Sequence, residues 1–300
     1  MMLRNIKNSI NTNALTINVL RNNNMRKLNN IFLIGLLGVF IHACTDVIEV
    51  DLEEATPRIV IDAALQWNRD TQGNAQEIRI SRTRNFFDDE PRPVEGAIVM
   101  IEDELEQQSF FFEVEPGVYR TQTFRAALER RYFLSIQIED EVYEASEVLT
   151  PVSNIVNIMQ TDDGGFAGGN REVRVFYDDP EEEENFYLFK FFADFLAFPD
   201  FSIQTDEFTN GNVSSVSFSD EDLEAGDLLR IQHHGISRSY YNFLFRLLSQ
   251  TGAAGGPFQA QPATVRGNII NQTNASNFPF GYFSISEMVE VEVEIIELAD

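Results

Sequence analysis

Alternation of apolar and polar residues dominates the chain from residue 57 onward, and this period of two predicts short β-strands. Within 57–150 seven short runs follow one another with no helical period between them. Pro116-Gly117 suits a tight turn, because proline fixes φ and glycine allows a positive φ. The pattern predicts an immunoglobulin-like or transthyretin-like sandwich. Its runs are 58–63, 77–82, 96–101, 109–114, 118–120, 132–138 and 141–145.

The alternation pauses at Thr150-Pro151, which predicts a boundary to a second β-rich module spanning 151–300. Residues 172–177 and 226–232 read as strands of this module. Residues 186–198 carry aromatic and aliphatic side chains at both odd and even positions, so they predict a strand that is buried on both faces.

The second module also contains one predicted helix, near 239–250, which Ser239 can cap. The closing run 289–295 has an aliphatic face and a glutamate face, which predicts a strand with one side on a core and the other in water. The helix carries one apolar stripe, formed by Tyr241, Leu244, Phe245 and Leu248.

An almost purely apolar stretch of thirteen residues, 31–43, follows the basic segment Met25-Arg26-Lys27. It is shorter than the roughly 20 residues that span a bilayer but has the length of a signal-peptide core. It ends in Ile41-His42-Ala43-Cys44, which resembles the bacterial lipobox, although His42 stands where small residues are usual. The resemblance implies that Cys44 receives a diacylglycerol, that the leader is removed, and that fatty acids such as palmitate anchor the protein. Alternatively, Cys44 is a buried residue at the edge of a hydrophobic helix.

Residues 1–43 are therefore interpreted as an upstream extension plus a lipoprotein signal peptide, with Met25 as the start of an ordinary leader. Residues 44–56 form an acidic tether. Acids directly after the cysteine resemble the surface-export signals of Bacteroidota lipoproteins, which implies a lipid-anchored protein on the outer membrane, facing the cell surface. The alternative is a solvated tether without export information. The export candidates are Asp46, Glu49 and Asp51.

Composition narrows the function classes. A hydrophobic content of 43% with 26 phenylalanines suffices for a packed core. A single cysteine excludes an internal disulfide and a cysteine zinc site. From residue 44 onward 17 basic residues stand against 48 acidic ones, a balance of −31, and Lys190 is the only lysine among them. Such a body repels phosphates, so nucleic-acid binding is excluded.

The chain contains an early group of short motifs, at 44–48, 58–62, 94–101 and 116–119, and a late group, at 261–270 and 280–286. Together they resemble a Bacteroidota outer-membrane lipoprotein family that is known as a domain of unknown function. The resemblance implies a gene neighbourhood with TonB-dependent transporters and hence an outer-membrane β-barrel partner. It brings no catalytic residues. Gly267 and Gly281 are interpreted as turns or close backbone approaches, and Asn268 as hydrogen-bonded to a neighbouring loop.

The remaining candidates for chemistry are weak. His233 and His234 are adjacent, so on a strand they point to opposite faces and cannot easily share a metal. No nucleophile elbow accompanies them. Two acidic segments offer oxygen ligands for calcium, although their spacing does not match an EF-hand, and a solvated loop is the alternative. The calcium candidates are Asp162, Asp163, Asp178 and Asp179.

The sequence thus predicts a non-enzymatic surface lipoprotein without a required cofactor. It would act as an accessory or ligand-capture subunit of a TonB-dependent transporter or another β-barrel complex. The alternatives are a cell-surface glycosidase that uses paired carboxylates and an adhesin-like sandwich stabilised by calcium.

Overall fold

The computed structural model describes residues 56–84, 92–165, 168–181, 183–207, 211–251 and 264–298, which belong to one compact unit. Cys44 and the export candidates Asp46, Glu49 and Asp51 lie outside the described residues, so the interpretation of the leader and tether stays a prediction. No helix among the described residues is long and apolar enough to cross a membrane.

The fold is mostly β, as the alternation predicts, with sixteen strands and one helix in the described ranges. The helix α1 is Arg238–Thr251. The strands are Ile59–Asn68 (β1), Gln76–Arg82 (β2), Arg92–Pro93 (β3), Ile98–Asp103 (β4), Gln108–Glu115 (β5), Val118–Thr121 (β6), Arg131–Ile138 (β7), Glu141–Val148 (β8), Ile155–Gly164 (β9), Asn170–Tyr177 (β10), Phe186–Phe192 (β11), Asp200–Thr205 (β12), Ser214–Ser219 (β13), Leu228–Gly235 (β14), Ile270–Asn271 (β15) and Phe280–Glu294 (β16).

The strands form one long path, β12-β11-β14-β16-β1-β2-β6-β5-β4-β7-β8-β15, with β3 beside β2. The strand β5 turns the corner of a sandwich, because its first half pairs with β4 and its second half with β6. A separate sheet, β13-β10-β9, packs beneath the β11–β14 region. Among the strands that the structure describes, every pair is antiparallel except β1 with β16.

The strand β16 connects the two halves of the fold. Its residues Phe280 to Met288 pair in parallel with β1, and Met288 to Glu294 pair antiparallel with β14. Thr150 adds a parallel bridge to Ser286 on the opposite edge. The strand β16 therefore completes the sandwich built by residues 57–150 while it also pairs with β14. The module boundary at Thr150-Pro151 stays a prediction.

Two apolar cores follow from this arrangement. The first lies between the β1-β2-β16 layer and the β4-β7-β8 layer and contains Ile61, Ile78, Ile136 and Phe283, each fully buried. The second lies between β10-β13 and β11-β14, and Val291 and Val293 of β16 pack against it. Glu292 and Glu294 are exposed, which confirms the predicted two-faced closing strand.

The strand β11 is buried on both faces, as predicted, although it ends at Phe192 and not near Phe198. Tyr187, Phe189 and Phe191 belong to the second core. Phe186 and Leu188 point to the opposite face and pack with the helix through a third cluster. Around β11 the long sheet therefore has the β13-β10-β9 sheet on one face and α1 on the other.

The helix α1 differs from its prediction in two details. Ser237, not Ser239, caps it, because the Ser237 hydroxyl accepts a hydrogen bond from the Tyr240 amide at 3.2 Å. The Ser237 hydroxyl also donates to the buried Glu147 of β8 at 3.0 Å, which fixes the start of the helix. Leu244 is buried and Tyr241 packs against the sheet, as the predicted stripe requires, but Phe245 is 58% exposed, and Tyr240 and Phe243 pack on the sheet as well.

Close backbone packing explains the two glycines that sequence analysis singled out. Gly281 has φ +99°, and a Cβ there would lie 1.9 Å from the Ile61 carbonyl oxygen. A Cβ on Gly267 would lie 1.7 Å from the Gly281 oxygen. Asn268 bonds the backbone of strand β16 rather than a loop: its amide donates to Phe283 O at 2.8 Å and accepts from Phe283 N at 2.9 Å.

Candidate functional site

The two histidines point to opposite faces of β14, as the strand geometry predicts. His233 is fully buried in the second core and stacks on Phe189 with ring centroids 4.2 Å apart. Neither of its ring nitrogens has a hydrogen-bond partner among the described residues. Burial lowers the pKa of His233 to about 3. A neutral ring without solvent access has no route to a substrate.

His234 faces the helix side of the long sheet and is also buried. Its Nδ1 lies 3.2 Å from Ser286 Oγ, and its Nε2 lies 3.3 Å from Gln232 Oε1. Burial, with the charge of Lys190 as a second cause, holds the pKa of His234 well below its usual value. His234 is therefore a neutral part of the packing beneath the cleft described below.

The calcium candidates fall into two pairs at opposite ends of the β9–β10 hairpin. Asp162 pairs with Arg171 at 3.7 Å. Asp178 accepts from the Asn154 amide at 2.6 Å, and Asp179 accepts from the Tyr187 hydroxyl at 2.7 Å. Within the described ranges, no group of three or more His, Cys, Asp or Glu side chains is placed to hold a metal ion. Calcium binding stays a prediction that the geometry does not support. Asp163, the fourth candidate, lies beside Asp162 in β9.

A polar cleft of about 780 Å³ lies on the helix side of the long sheet. Strands β1, β2 and β6 provide one wall, and β11, β12 and α1 provide the other. The two walls belong to one cleft because β1 pairs in parallel with β16, which places β1 in the same sheet as β14 and β11. The cleft is lined by Asp62, Ala64, Gln66, Ala75, Gln76, Glu77, Arg79, Arg120, Gln122, Lys190, Phe201 and Tyr240.

Lys190 is the cation of the wall formed by β11. It lies between Gln232 of β14 and Phe201 of β12 in the sheet register, and its Nζ is 5.8 Å from the Phe201 ring centroid. Burial lowers the pKa of Lys190 to about 8, while Asp62 across the cleft acts in the opposite direction. Sequence reasoning missed this site. The signal that could have found it is a single lysine within an otherwise aromatic strand.

The opposite wall carries two arginines that share one carboxylate. Glu77 pairs with Arg79 and with Arg120, each at 2.6 Å. Gln76 is buried, and its amide group donates to the Gln66 and Gly73 carbonyl oxygens at 2.8 and 2.9 Å. This wall is therefore held in place by its own contacts, which leaves the arginine edges exposed to the cleft.

A second surface lies on the outer face of β4, β5 and β7, and we call it the apolar face. Met100 is paired with Phe110 in the register, and Ile98 and Phe112 are the next outward residues on the same strands. Phe112 is 71% exposed, and Ile98 is 59% exposed. A groove of about 620 Å³ continues this face past Phe133. Isolated exposed apolar residues are ordinary, but adjacent ones mark an interaction surface.

Comparisons with known proteins place the chain in a family. No curated protein matches it. Similar solved structures are a DUF4785 family protein from Legionella pneumophila (11% identity, 59% of this chain and 52% of that chain, TM-score 0.26), a two-domain fibronectin type III segment of chicken tenascin (11%, 60% and 91%, 0.20), and the FN1–FN3 domains of chicken CNTN1 (12%, 61% and 63%, 0.25). The chain spans about half the length of the Legionella protein.

The family assignment rests on a match to almost the whole described chain. The family model described as "Domain of unknown function (DUF4249)" matches residues 45–291. That span includes both walls of the cleft and the apolar face. The chain therefore belongs to the DUF4249 family.

Proposed function

We propose that this protein is a lipid-anchored, non-enzymatic accessory subunit that docks on an outer-membrane β-barrel protein such as a TonB-dependent transporter. The observation that carries the proposal is the apolar face. Met100 and Phe110 are paired there in register, and Ile98 and Phe112, two residues further along the same strands, are exposed. Burying such side chains on a partner contributes about 25 cal/mol for each Å² removed from water.

The predicted anchor supports a membrane partner. Eleven residues, 45–55, lie between the lipobox cysteine and the first described residue, and an extended chain of that length reaches at most roughly 40 Å. A lipid on Cys44 would therefore hold the start of the folded body within that distance of the membrane surface. A short tether raises the effective concentration of a partner, so a weak docking face stays occupied.

Charge favours a protein partner over the lipid surface itself. The chain after residue 43 has a balance of −31, which repels anionic headgroups. A β-barrel protein presents loops and rims at the membrane surface that an apolar face can cover. The family resemblance to lipoproteins encoded beside TonB-dependent transporters supports the same occupant.

Site-specific photo-crosslinking in intact cells tests the docking. A photoreactive phenylalanine analogue at Phe112 is expected to crosslink to one β-barrel protein. The same probe at Phe198, which is 83% exposed and lies elsewhere on the surface, serves as the matched control. Crosslinks to lipid alone, or equal crosslinking from both positions, would contradict the proposal.

Co-purification in mild detergent supplies the second arm. The double variant Phe110→Ser and Phe112→Ser is expected to lose the partner, while Phe245→Ser on the exposed side of α1 retains it. Recovery of the wild-type lipoprotein alone would argue against an accessory subunit. The glycosidase alternative stays a hypothesis, and turnover of a glycan panel by the wild-type protein would favour it.

A further inference from the structure

The cleft holds a cation that the protein itself does not neutralise. Lys190 is the only lysine after residue 43, in a chain that has 48 acidic residues. In the part of the chain that the structure describes, no carboxylate forms an ion pair with its Nζ, and Asp62 acts on it only through longer-range attraction. A partly buried ammonium group that lacks a paired carboxylate loses hydration without full compensation.

Titratable groups surround Lys190 on the strands β1, β2, β6 and β14 and on the helix α1. They are Asp62 of β1, Glu77 and Arg79 of β2, Arg120 of β6, His234 of β14 and Tyr240 of α1. Tyr240 keeps its proton, since burial raises its pKa to about 12, and His234 is neutral. The charged lining is thus three bases against two acids.

This local excess of positive charge contrasts with the balance of −31 over the chain after residue 43. Repulsion from distant surface carboxylates is screened beyond about 8–10 Å at physiological salt. At the short distances inside the cleft, the lining itself has a net charge of +1, because Lys190 and the two arginines outnumber Asp62 and Glu77. The same walls provide the amides of Gln66 and Gln122 and the ring of Phe201, which suit a polar ligand.

We propose that this cleft binds a small polar molecule through an anionic oxygen group, a carboxylate or a phosphate, which pairs with the Lys190 ammonium. The rest of the ligand lies against Phe201 and the glutamine amides. This binding function goes beyond docking on a barrel. The two can fail separately, because the cleft and the apolar face share none of their residues.

Nuclear magnetic resonance of ¹³C-methylated lysine tests the proposal on the full chain. Reductive methylation labels Lys7, Lys27, Lys190 and any free amino terminus, and Lys190→Arg assigns the cleft resonance by deleting it. The probes are galacturonate as a carboxylate, inorganic phosphate, and neutral galactose as the matched control. Saturable shifts of the Lys190 resonance by galacturonate or by phosphate are expected, with none from galactose. The anion that binds more tightly identifies the group that the site prefers.

Two variants of unmodified protein separate the site from general electrostatics. By calorimetry, Lys190→Met is expected to lower the affinity for the better anion at least about tenfold, as expected for a lost charge-assisted contact. Arg246→Gln removes one positive charge from α1 outside the cleft and is expected to change the affinity less than about twofold. Circular dichroism of both variants checks that they are folded.

The pH dependence supplies an independent readout. Because Lys190 loses its proton above about pH 8, the affinity is expected to fall up to about tenfold per pH unit above that value. Three results would overturn the proposal: no saturable shift by either anion, unchanged affinity in Lys190→Met, or an equal loss in Arg246→Gln.

Discussion

Arg69 and Glu287 form a two-pronged ion pair where the two halves of the fold meet. Arg69 Nε lies 3.0 Å from Glu287 Oε1, and Nη2 lies 3.0 Å from Oε2. The same two side chains also hold the connecting segment: Val152 N donates to Glu287 Oε2 at 2.9 Å, and Arg69 donates to Asn154 Oδ1 at 2.7 Å and to the Val152 carbonyl. The pair therefore links β1, β16 and the segment after Thr150.

Removing the carboxylate charge of Glu287 is expected to destabilise the protein. Its side chain is 4% exposed, so Glu287→Gln leaves the Arg69 charge and the Val152 amide with a weaker partner. The expected loss in the free energy of unfolding is about 3 kcal/mol. Urea unfolding measures it. The control is Glu297→Gln, because Glu297 is the exposed ion-pair partner of Arg171. Its free energy of unfolding is expected to change by less than about 0.5 kcal/mol. Equal effects would show that the Glu287 pair has no special role.

Acid sensitivity follows from the buried His233. Its pKa is about 3 in the folded protein against 6.5 in the unfolded chain. The unfolded chain therefore binds the proton first, and stability is expected to fall as the pH drops below 6.5. His233 alone is expected to lower the free energy of unfolding by up to about 1.4 kcal/mol for each pH unit between pH 6.5 and 3.

His233→Phe tests this origin directly. Phenylalanine keeps the stacking on Phe189 and removes two ring nitrogens without partners. The variant is expected to be at least as stable as wild type at pH 7 and to lose less stability between pH 6.5 and 5. Unfolding curves with identical pH slopes for the two proteins would show that His233 does not carry the effect.

Lys190 is expected to be a source of instability when no ligand is bound. Its folded pKa of about 8 is lower than the ordinary 10.5, so the wild-type stability rises from pH 8 toward 10.5 as the folded state gives up its proton. At pH 7, Lys190→Met is expected to be more stable by about 1–2 kcal/mol. This gain should shrink at pH 9.5. Lys190→Arg, which keeps the charge, should show no gain, and a constant gain in the Met variant at both pH values would contradict the explanation.

Gly281 is expected to tolerate no side chain. Gly281→Ala combines a positive φ with a Cβ placed 1.9 Å from Ile61 O in the parallel β1–β16 pair. The expected loss is about 3 kcal/mol or more. Gly226 has a similar φ, +97°, with nothing within 4 Å of a Cβ, so Gly226→Ala isolates the conformational part and should cost about 1–2 kcal/mol. Comparable melting temperatures for both variants would rule out the clash.

Much of the local structure could be predicted from the sequence. The hairpin of β7 and β8 follows from alternation on both sides of Glu139-Asp140, and Glu139 indeed has a positive φ of 54° at the turn. The two-sided burial of β11 follows from its unbroken aromatic run. Both features depend on residues that are close in the sequence, so the pattern of apolar and polar positions is enough to predict them.

The long-range pairing could not be predicted in the same way. Nothing in the alternation of β1 indicates a parallel partner that begins at Phe280. The cleft depends on that pairing, since Asp62 and Lys190 line the same cleft only when β16 lies between β1 and β14. The strands β9 and β12 escaped detection because their exposed and half-buried positions do not alternate strictly. The calcium candidates show that acids near one another in the sequence can be far apart in space, because the two pairs lie at opposite ends of the β9–β10 hairpin.

The anchoring of the protein at Cys44 is the claim on which its function depends most. Mass spectrometry of the protein extracted from cell envelopes tests it directly. The expected result is an amino-terminal peptide that begins at Cys44 and carries a diacylglycerol with an acylated amino group. A free thiol on Cys44 with residues 25–43 still attached would contradict the account.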